Sequence, residues 1–428
     1  GTATGQAVVS RTSADNITWT ITISATGSGT VQPSIAANAV QDLVGNNNTI
    51  STSTDNSVTY DLSGPSVTIN QAGSQTYPTN ASPVTFTAVF NEIVNPVTFT
   101  NTDITLGGTA PGKAVVSRTS LDNITWTITV SATGSGTIIP SLAAGVVTDI
   151  AGNPNAASTS TDNTVTYDII APTVTINQAV TQNDPTNVSP VTFTAVFSEA
   201  INPATFTNGD ITLGGTAPGK AIVSRTSPDN ITWTITISAT GSGTIVPAIP
   251  ASGVQDPSGN NNTASTSTDA TVTYDVTAPQ VVSVNRNNAT PTNAASVNYT
   301  VTFTESVTGV DAADFTVTTV SGTATGSVTG VAGSGVSRTI TIGGFAGEGD
   351  LRLDLKTFGA GATIQDIATN NFTAGFTGGQ VYYIDPTPPT VFSVLRLDAN
   401  PNNTSSVQFE VKFSESVTGV TTADFDPN

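Results

Sequence analysis

Residues 231–237 read Ile-Thr-Trp-Thr-Ile-Thr-Ile, an unbroken alternation of apolar and threonine side chains. Successive side chains of a β-strand point to opposite faces, so this run predicts a strand with one buried and one exposed face. Residues 191–197, Val-Thr-Phe-Thr-Ala-Val-Phe, show the same alternation. Because no segment shows a convincing 3.6-residue period, the sequence predicts an all-β fold.

The chain is built from a long internal repeat. Trp19, Trp126 and Trp233 are each 107 residues apart. Tyr-Asp pairs with the same spacing close successive units: Tyr60-Asp61, Tyr167-Asp168 and Tyr274-Asp275. This period is too long for a solenoid repeat and suits a whole small domain.

The repeat predicts three complete units between two partial ones: 1–63 (the second half of a unit), 64–170, 171–277, 278–387 (divergent, without the Trp) and 388–428 (the first part of a unit). In the third unit, strands A to G are expected near Thr173–Asn177, Pro190–Phe197, Ala204–Leu213, Lys220–Thr226, Ile231–Ser238, Gly243–Ile249 and Ala270–Asp275. Seven short strands in about 100 residues indicate an immunoglobulin-like (Ig-like) sandwich. We therefore predict an elongated tandem array of seven-stranded Ig-like β-sandwiches, with each Trp in a core.

Composition narrows the classes of function. The net charge of −19 argues against nucleic acid and anionic membranes as partners and favours cations. The chain has no His and no Cys, which excludes Ser-His-Asp and thiol catalysis and structural zinc sites of Cys and His. No apolar run approaches the ~20 residues that span a bilayer. A carboxylate pair for glycoside hydrolysis stays open by residue type. Near-identical copies of one module suit mechanical repetition better than a unique active site, so the sequence predicts a protein that is not an enzyme.

The recurring acids follow a topological pattern. In a sandwich of this kind, Glu199 follows strand B at the top of the third unit, beside the F–G loop with Asp256 and Asn260. Asp168, arriving from the preceding unit, lies at the same end. Carboxylate and amide oxygens that converge without His or Cys are the ligands that Ca²⁺ prefers. The sequence therefore predicts calcium between units, where it would stiffen the linkers.

Applied to every boundary, the pattern gives a full set of candidate calcium ligands: Asp61, Glu92, Asp149, Asn153, Asp168, Asp184, Asn187, Glu199, Asp256, Asn260, Asp275, Glu305, Asp366, Asn370, Asp385 and Glu415. An alternative is turn chemistry alone, since Asp and Asn favour turns through local hydrogen bonds. The position of Asp184 is Tyr77 in the second unit and Thr290 in the fourth, which weakens it as a ligand. Asp122 and Asp229 lie in D–E turns and are expected to cap hairpins, with Arg118 and Arg225 as candidate ion-pair partners.

The combined pattern resembles the bacterial Ig-like (Big) repeats of large surface adhesins and biofilm-associated proteins. The matching segments are Ala171-Pro-Thr-Val-Thr-Ile176, Asp184-Pro-Thr-Asn187, Phe197-Ser-Glu199, Asp210-Ile-Thr-Leu213, Val147-Thr-Asp149-Ile-Ala-Gly-Asn153 and Val165-Thr-Tyr-Asp168. The resemblance implies a secreted protein at the cell surface whose repeats act as a stalk, often stiffened by Ca²⁺ between domains.

Three functions remain open at this point. The first is a stalk whose partners are flanking repeats or neighbouring copies, with any host or matrix ligand outside this segment. The second is a self-assembling fibre or surface-layer subunit, in which the partial unit at one end completes the partial unit at the other by strand complementation. The simpler interpretation of the partial units is a window cut from a longer chain. A carbohydrate-binding array ranks last, because only 6% of residues are aromatic and most alternate into the core.

Overall fold

A computed structural model describes residues 1–427. The prediction of an all-β fold is confirmed: the described residues form 29 strands, with five 3₁₀ turns as the only helical segments among them. The range predicted for the fifth unit, 388–428, includes Asn428, which lies outside the described residues.

The strands follow one another in chain order through the five units. The first unit has β1 (Ala7–Thr12), β2 (Thr20–Ser24), β3 (Gly29–Val31) and β4 (Val58–Tyr60). The second unit has β5 (Val67–Gln71), β6 (Val84–Phe90), β7 (Ile104–Gly107), β8 (Ala114–Ser120), β9 (Thr125–Ser131), β10 (Gly136–Leu142) and β11 (Val165–Tyr167). The third unit has β12 (Val174–Gln178), β13 (Val191–Phe197), β14 (Thr212–Gly214), β15 (Ala221–Thr226), β16 (Thr232–Ser238), β17 (Gly243–Ala248) and β18 (Val272–Tyr274).

The fourth unit has nine strands, two more than the second and third units have. It has β19 (Val281–Arg286), β20 (Ser296–Phe303), β21 (Val307–Thr308), β22 (Phe315–Gly322), β23 (Thr325–Ala332), β24 (Ser337–Ala346), β25 (Gly349–Leu355), β26 (Gln365–Asp366) and β27 (Val381–Ile384). The fifth has β28 (Val391–Arg396) and β29 (Phe409–Phe413). The 3₁₀ turns are Asn101–Asp103, Asn208–Asp210, Ala312–Asp314, Phe358–Ala360 and Thr422–Asp424.

Strand order identifies the sandwich type. In the third unit, one antiparallel sheet has the order β12-β13-β16-β15 and the other β14-β17-β18. With the strands lettered A to G along the chain, these are an A-B-E-D sheet and a C-F-G sheet, the arrangement of a constant-type immunoglobulin domain. The second unit has the same two sheets, and the fourth has them with the small pair β21-β26 added. The predicted Ig-like sandwich is therefore confirmed.

Three separate hydrophobic cores lie along the chain. They run from Val67 to Tyr167, from Val174 to Tyr274 and from Val284 to Ile384. The accessible surface is 23293 Å², whereas a compact monomer of 43.2 kDa would expose about 15,000 Å². The fold is thus an elongated series of small cores, and the unit boundaries placed from the sequence stay a prediction.

Two of the three repeated Trp residues lie in these cores. The expectation that each Trp is in a core is wrong for Trp19, which is 49% exposed because the four strands of residues 1–63 do not enclose a core. Trp126 and Trp233 are each 4% exposed. The Trp233 ring packs edge-on against Phe206 at 5.0 Å between centroids, and Arg225 lies 5.9 Å over the same indole. Arg225 therefore covers the rim of the core. It does not form the predicted ion pair with Asp229, since the one ion pair among the described residues is Arg352–Asp354.

Two local expectations are resolved by hydrogen bonds. Asp122 Oδ1 accepts from the backbone N–H of Ile124 at 2.9 Å and of Thr125 at 2.8 Å, so its role as a hairpin cap is confirmed. Strand C of the third unit is shorter than the predicted range Ala204–Leu213. The Asp210 carboxylate accepts from the backbone N–H of Thr207 at 2.6 Å, which closes a 3₁₀ turn where a strand was expected.

Strand A and the A–B loop run alongside the chain that leads out of the unit. In the third unit, Thr266 pairs in parallel with Thr175. Further along, the Thr186 N–H donates to the Thr273 carbonyl at 3.0 Å, and the Asp275 N–H donates to the Thr186 carbonyl at 2.8 Å. The second unit repeats the last two bonds at Thr79. The entry and exit of each unit are therefore joined directly, outside the two main sheets.

The core position of Trp233 gives a first prediction. We expect Trp233→Ala to lower the free energy of unfolding of the third unit by about 3–5 kcal/mol, since a large ring is lost from a closed core. Hydrogen exchange of the amides in β13 and β16, followed by mass spectrometry on the full chain, measures this loss. The control Val180→Ala removes a fully exposed side chain of the same unit and should leave that exchange unchanged. Equal effects of the two changes would contradict the core assignment.

Candidate metal centre

The last Asp of each unit is oriented by its own unit. Asp168 directly follows β11, and its Oδ1 accepts from Ser135 Oγ at 2.9 Å and from the Ile170 N–H at 3.0 Å. The equivalent bonds hold Asp61 through Ser28 and Asp275 through Ser242. Because these bonds use Oδ1, the second carboxylate oxygen remains to face the next unit.

An Asp in the F–G loop of the following unit is held more tightly. Asp256 is 1% exposed, and its Oδ1 accepts from the Asn260 N–H at 2.9 Å while its Oδ2 accepts from Asn260 Nδ2 at 2.8 Å. The loop closes through Gly259, whose φ of +93° lies in the left-handed region that glycine adopts without strain. Asp149 with Asn153 and Asp366 with Asn370 form the same bonds.

A Glu that follows strand B completes the group. Glu199 lies two residues after the end of β13 and is half-buried. Three boundaries thus each carry a boundary cluster, defined here as three carboxylates that each place one oxygen within 4.8 Å of an oxygen of the other two: Asp61, Glu92 and Asp149; Asp168, Glu199 and Asp256; Asp275, Glu305 and Asp366. We call these the 1/2, 2/3 and 3/4 boundaries. In each cluster, the first acid belongs to one unit and the other two belong to the next.

The boundary clusters are electrostatically unfavourable as they stand. Burial raises the pKa of Glu199, and the neighbouring Asp168 and Asp256 raise it further. The pKa of Glu92 and that of Glu305 are raised by the same causes. Since the one ion pair within residues 1–427 is Arg352–Asp354, no Lys or Arg in that range neutralises a cluster by direct pairing.

The donor set fits calcium. The three carboxylates supply hard oxygen ligands and no nitrogen or sulfur. Two oxygens that both lie 2.3–2.6 Å from one Ca²⁺ are at most about 5 Å apart, which matches the spacing within each cluster. At the 1/2 boundary, an open cleft of ≈ 400 Å³ lies over Asp61, Glu92 and Asp149. These residues could hold one cation between two units, with room for water ligands.

The asparagines of the three F–G loops were predicted as calcium ligands, but their side chains turn the amide nitrogen, and not the oxygen, toward the carboxylates. Asn260 Nδ2 donates to Asp256 Oδ2 at 2.8 Å and to the backbone carbonyl of Asp168 at 2.9 Å. Asn153 and Asn370 make the same pair of contacts at their own boundaries. Because the amide nitrogen faces the carboxylate, these side chains orient the loop and bridge to the preceding unit, and they do not present an oxygen to the cluster.

The A–B loop residues also lie outside the boundary clusters. Asp184 Oδ1 accepts from the Thr273 N–H at 2.8 Å, so this carboxylate ties the loop to the final strand of its own unit. Thr290 takes the same role in the fourth unit, where its Oγ1 accepts from the Tyr383 N–H at 2.7 Å. Asn187 reaches the 3/4 boundary, where its Nδ2 donates to Asn370 Oδ1 at 3.2 Å. It contacts the loop and not the carboxylates.

The boundary after the fourth unit brings together the remaining two predicted acids. The pKa of Glu415 is raised by burial and by Asp385 and Glu348. Glu348 was not predicted from the sequence; it lies in the E–F turn, at the position held by Ser242 in the third unit. Asp42 was also missed, although it forms the same two bonds with Asn46 that Asp256 forms with Asn260. The shared spacing Asp-x-x-Gly-Asn was the signal that could have identified it.

Comparisons with known proteins identify no family. No protein-family model matches the chain, and no curated protein does. The chain is similar over 82% of its length to 67% of invasin, a bacterial integrin-binding protein, at 11% identity and a TM-score of 0.32. It is similar over 75% of its length to 98% of InvD from Yersinia pseudotuberculosis, at 13% identity and a TM-score of 0.31.

A third likeness covers 82% of this chain and 63% of domains 1–6 of the surface layer protein SbsC, at 13% identity and a TM-score of 0.18. Identities and TM-scores at this level say nothing about what the chain binds. Among residues 1–427, no helix has the length and apolar character needed to cross a bilayer.

The raised pKa of Glu199 predicts a pH dependence in chelator. The folded state binds this proton more tightly than the unfolded chain does, so protonation favours folding. Without metal ions, the stability of the 2/3 boundary should therefore fall as the pH rises from about 4.3 through the raised pKa. At neutral pH in chelator, Glu199→Gln should raise the melting temperature in calorimetry of the full chain.

The control for this experiment is Glu410→Gln, which removes an exposed carboxylate on β29. It should leave the melting profile of the third unit unchanged. A fall in melting temperature with Glu199→Gln in chelator would mean that the cluster is stable without a cation, and the electrostatic description would be wrong.

Proposed function

We propose that this chain is a structural, adhesive extracellular protein, a stalk of Ig-like modules stiffened by calcium ions at the unit boundaries. The observation that carries the proposal is the threefold recurrence of one boundary cluster with acids from two adjacent units. A turn residue needs no partner in the next unit. A site that spans two units links their positions, and repetition of that link along the chain suits a mechanical role.

The ion would act on the angle between units. Ser135 fixes the Asp168 side chain to the second unit, whereas the Asn260 bonds fix Asp256 to the third. Three carboxylates within 4.8 Å repel one another, so without a cation the boundary favours opening. A divalent cation bound among the carboxylates would attract all three, outweigh their repulsion and hold both units in one orientation.

The surroundings of such a stalk follow from its chemistry. Extracellular calcium modules bind with Kd values of about 10⁻⁴–10⁻³ M, so the sites would fill outside cells and remain largely empty at cytosolic calcium levels. We therefore place the protein at the cell surface. The partners proposed are flanking repeats and neighbouring copies, and the charge of −19 argues against nucleic acid. This role requires no catalytic reaction.

Calcium should stabilise the full chain in a way that depends on the boundary acids. At 10 mM Ca²⁺, each site should add about 1.4–2.7 kcal/mol to the stability of the folded boundary for Kd values of about 10⁻³–10⁻⁴ M. Calorimetry in calcium and in chelator measures this gain. We expect Glu199→Gln to remove the part that belongs to the 2/3 boundary, and the exposed control Asp55→Asn to leave the gain intact.

Small-angle X-ray scattering tests the stiffening itself. The radius of gyration and the maximum dimension of the full chain should increase with calcium, and isothermal titration should report at least three sites. If calcium leaves melting and scattering unchanged, the recurrent acids are turn residues, and the linkers are flexible or held by packing alone.

Exposed apolar surfaces on both partial units favour a second candidate, self-assembly by strand complementation. Leu43 and Ile17 are fully or largely exposed in residues 1–63, and Phe392 is 73% exposed near the other end. Residues within 391–426, among them Val394, Phe413 and Phe425, line an open cleft of ≈ 540 Å³. A second copy could cover this cleft with its residues 1–63 and continue into a fibre.

Light scattering during size-exclusion chromatography distinguishes the two candidates. A complementing subunit should form polymers of residues 1–428 as concentration rises, and Val394→Asp, which places a charge at an exposed position of the cleft, should prevent them. A chain that stays monomeric at all concentrations excludes complementation between these two partial units and leaves the stalk.

A further inference from the structure

A second contact joins the third and fourth units beside the boundary cluster. Asn187, in the A–B loop of the third unit, donates from Nδ2 to Asn370 Oδ1 at 3.2 Å. Its own Oδ1 accepts from Thr369 Oγ1 at 3.4 Å. Asn80 makes the equivalent amide contact with Asn260 at 3.2 Å, and the Asn80 N–H donates to the Ser258 carbonyl at 3.1 Å. Both contacts cross from one unit to the next.

This contact is connected to the carboxylates through one side chain. Asn370 accepts from Asn187 with its Oδ1, while its Nδ2 donates to Asp366 Oδ2 at 2.8 Å and to the Asp275 carbonyl at 2.9 Å. The amide group is planar, so fixing its oxygen also fixes the direction of its two N–H bonds. The A–B loop of the third unit thereby orients an acid of the fourth.

A strained residue marks the same place. Thr369 has φ = +72°, where Gly152 and Gly259 stand in the second and third units. A β-branched side chain seldom adopts this conformation, because its Cβ crowds the backbone there. At this boundary, the hydroxyl that the glycines lack reaches Asn187 Oδ1. The fourth unit therefore accepts local strain at a position whose side chain contacts the preceding A–B loop.

We propose that the A–B loop asparagine, Asn187 at the 3/4 boundary and Asn80 at the 2/3 boundary, is a positioning residue that narrows the range of orientations between successive units even without a cation. It does so by holding the amide of Asn370 or Asn260. Through that amide it also preorganises the carboxylates for the cation, a second effect that rests on the proposed calcium function. The Thr369 hydroxyl makes the contact at the 3/4 boundary specific to the fourth unit.

The first effect is measured in chelator on the full chain. The natural sequence has no Cys, so Val223→Cys and Val320→Cys place one spin label in the third unit and one in the fourth, both at exposed positions. Double electron–electron resonance then gives the distribution of distances between them. We expect Asn187→Ala to broaden this distribution, since both side-chain contacts are lost.

The matched control is Asn293→Ala. Asn293 holds the same sequence position in the A–B loop of the fourth unit, beside β27 and at the far end of that unit from the 3/4 boundary. It should leave the distribution unchanged. A distribution equally narrow in Asn187→Ala and in the parent would overturn the proposal, whatever calcium does.

Calcium titration tests the second effect separately. If calcium binds to the parent chain, Asn187→Ala should weaken the affinity of one site several-fold, the direction expected when an outer-shell partner of a ligand is lost. If the parent chain binds no calcium, the proposed calcium-stiffened stalk is wrong. The spin-label measurement in chelator tests the positioning role independently of that outcome. An unchanged affinity with a broadened distribution would overturn the preorganisation step.

Thr369→Gly provides a variant that should fold at least as well as the parent. Relief of the strained φ should raise the melting temperature of the fourth unit, because glycine adopts this conformation freely. The same change should broaden the distance distribution in chelator, because the contact with Asn187 is lost. A gain in stability with no broadening would show that Thr369 has no part in positioning.

Discussion

Repulsion among three carboxylates at each boundary is the constraint on which the arrangement of units depends. The acids are brought within 4.8 Å by hydrogen bonds that belong to two different units, so neither unit can relieve the repulsion alone. Ser135 on one side and Asn260 on the other keep the charged groups in place instead of letting them turn outward. The fold itself therefore holds these negative charges together at the boundary.

The fourth unit shows that the core and the boundary are independent of each other. It lacks the core Trp and packs Tyr299 edge-on against Tyr382 at 5.0 Å between centroids. Its strands are longer, and a small additional sheet pair is present. Even so, Glu305 and Asp366 occupy the same places in its boundary cluster as Glu199 and Asp256 do in the cluster of the third unit. Changes in how a unit fills its interior have left the group facing its neighbour intact.

Much of this fold could be predicted from the two-residue period of the strands and the spacing of the sequence repeat. The alternation around Trp233 identified a half-buried strand because the side-chain period of a strand is two, and the same rule located strands A, B and E. Strand C was placed too early, since the bonds between Thr207 and Asp210 close a turn that alternation cannot reveal. Local side-chain bonds to the backbone compete with sheet formation, and no periodicity records them.

The candidate site was partly predictable for a related reason. Strand direction alone brought Asp168, Glu199 and Asp256 to one end of the unit, because each residue follows the end of a strand. The role of Asn260 depends on which way its amide group faces, and sequence carries no information about that. Glu348 was missed because it replaces a Ser, and only the neighbouring unit shows that this position faces the boundary.

The pairing between the entry and the exit of each unit has a mechanical consequence. A pulling force along the array enters the third unit at strand A and leaves after β18, the two segments joined by the parallel bonds around Thr186. Force applied in opposite directions to parallel neighbours loads all the bonds between them in shear, so they must break together instead of opening one at a time. A pull along the array is therefore the load that these bonds resist together.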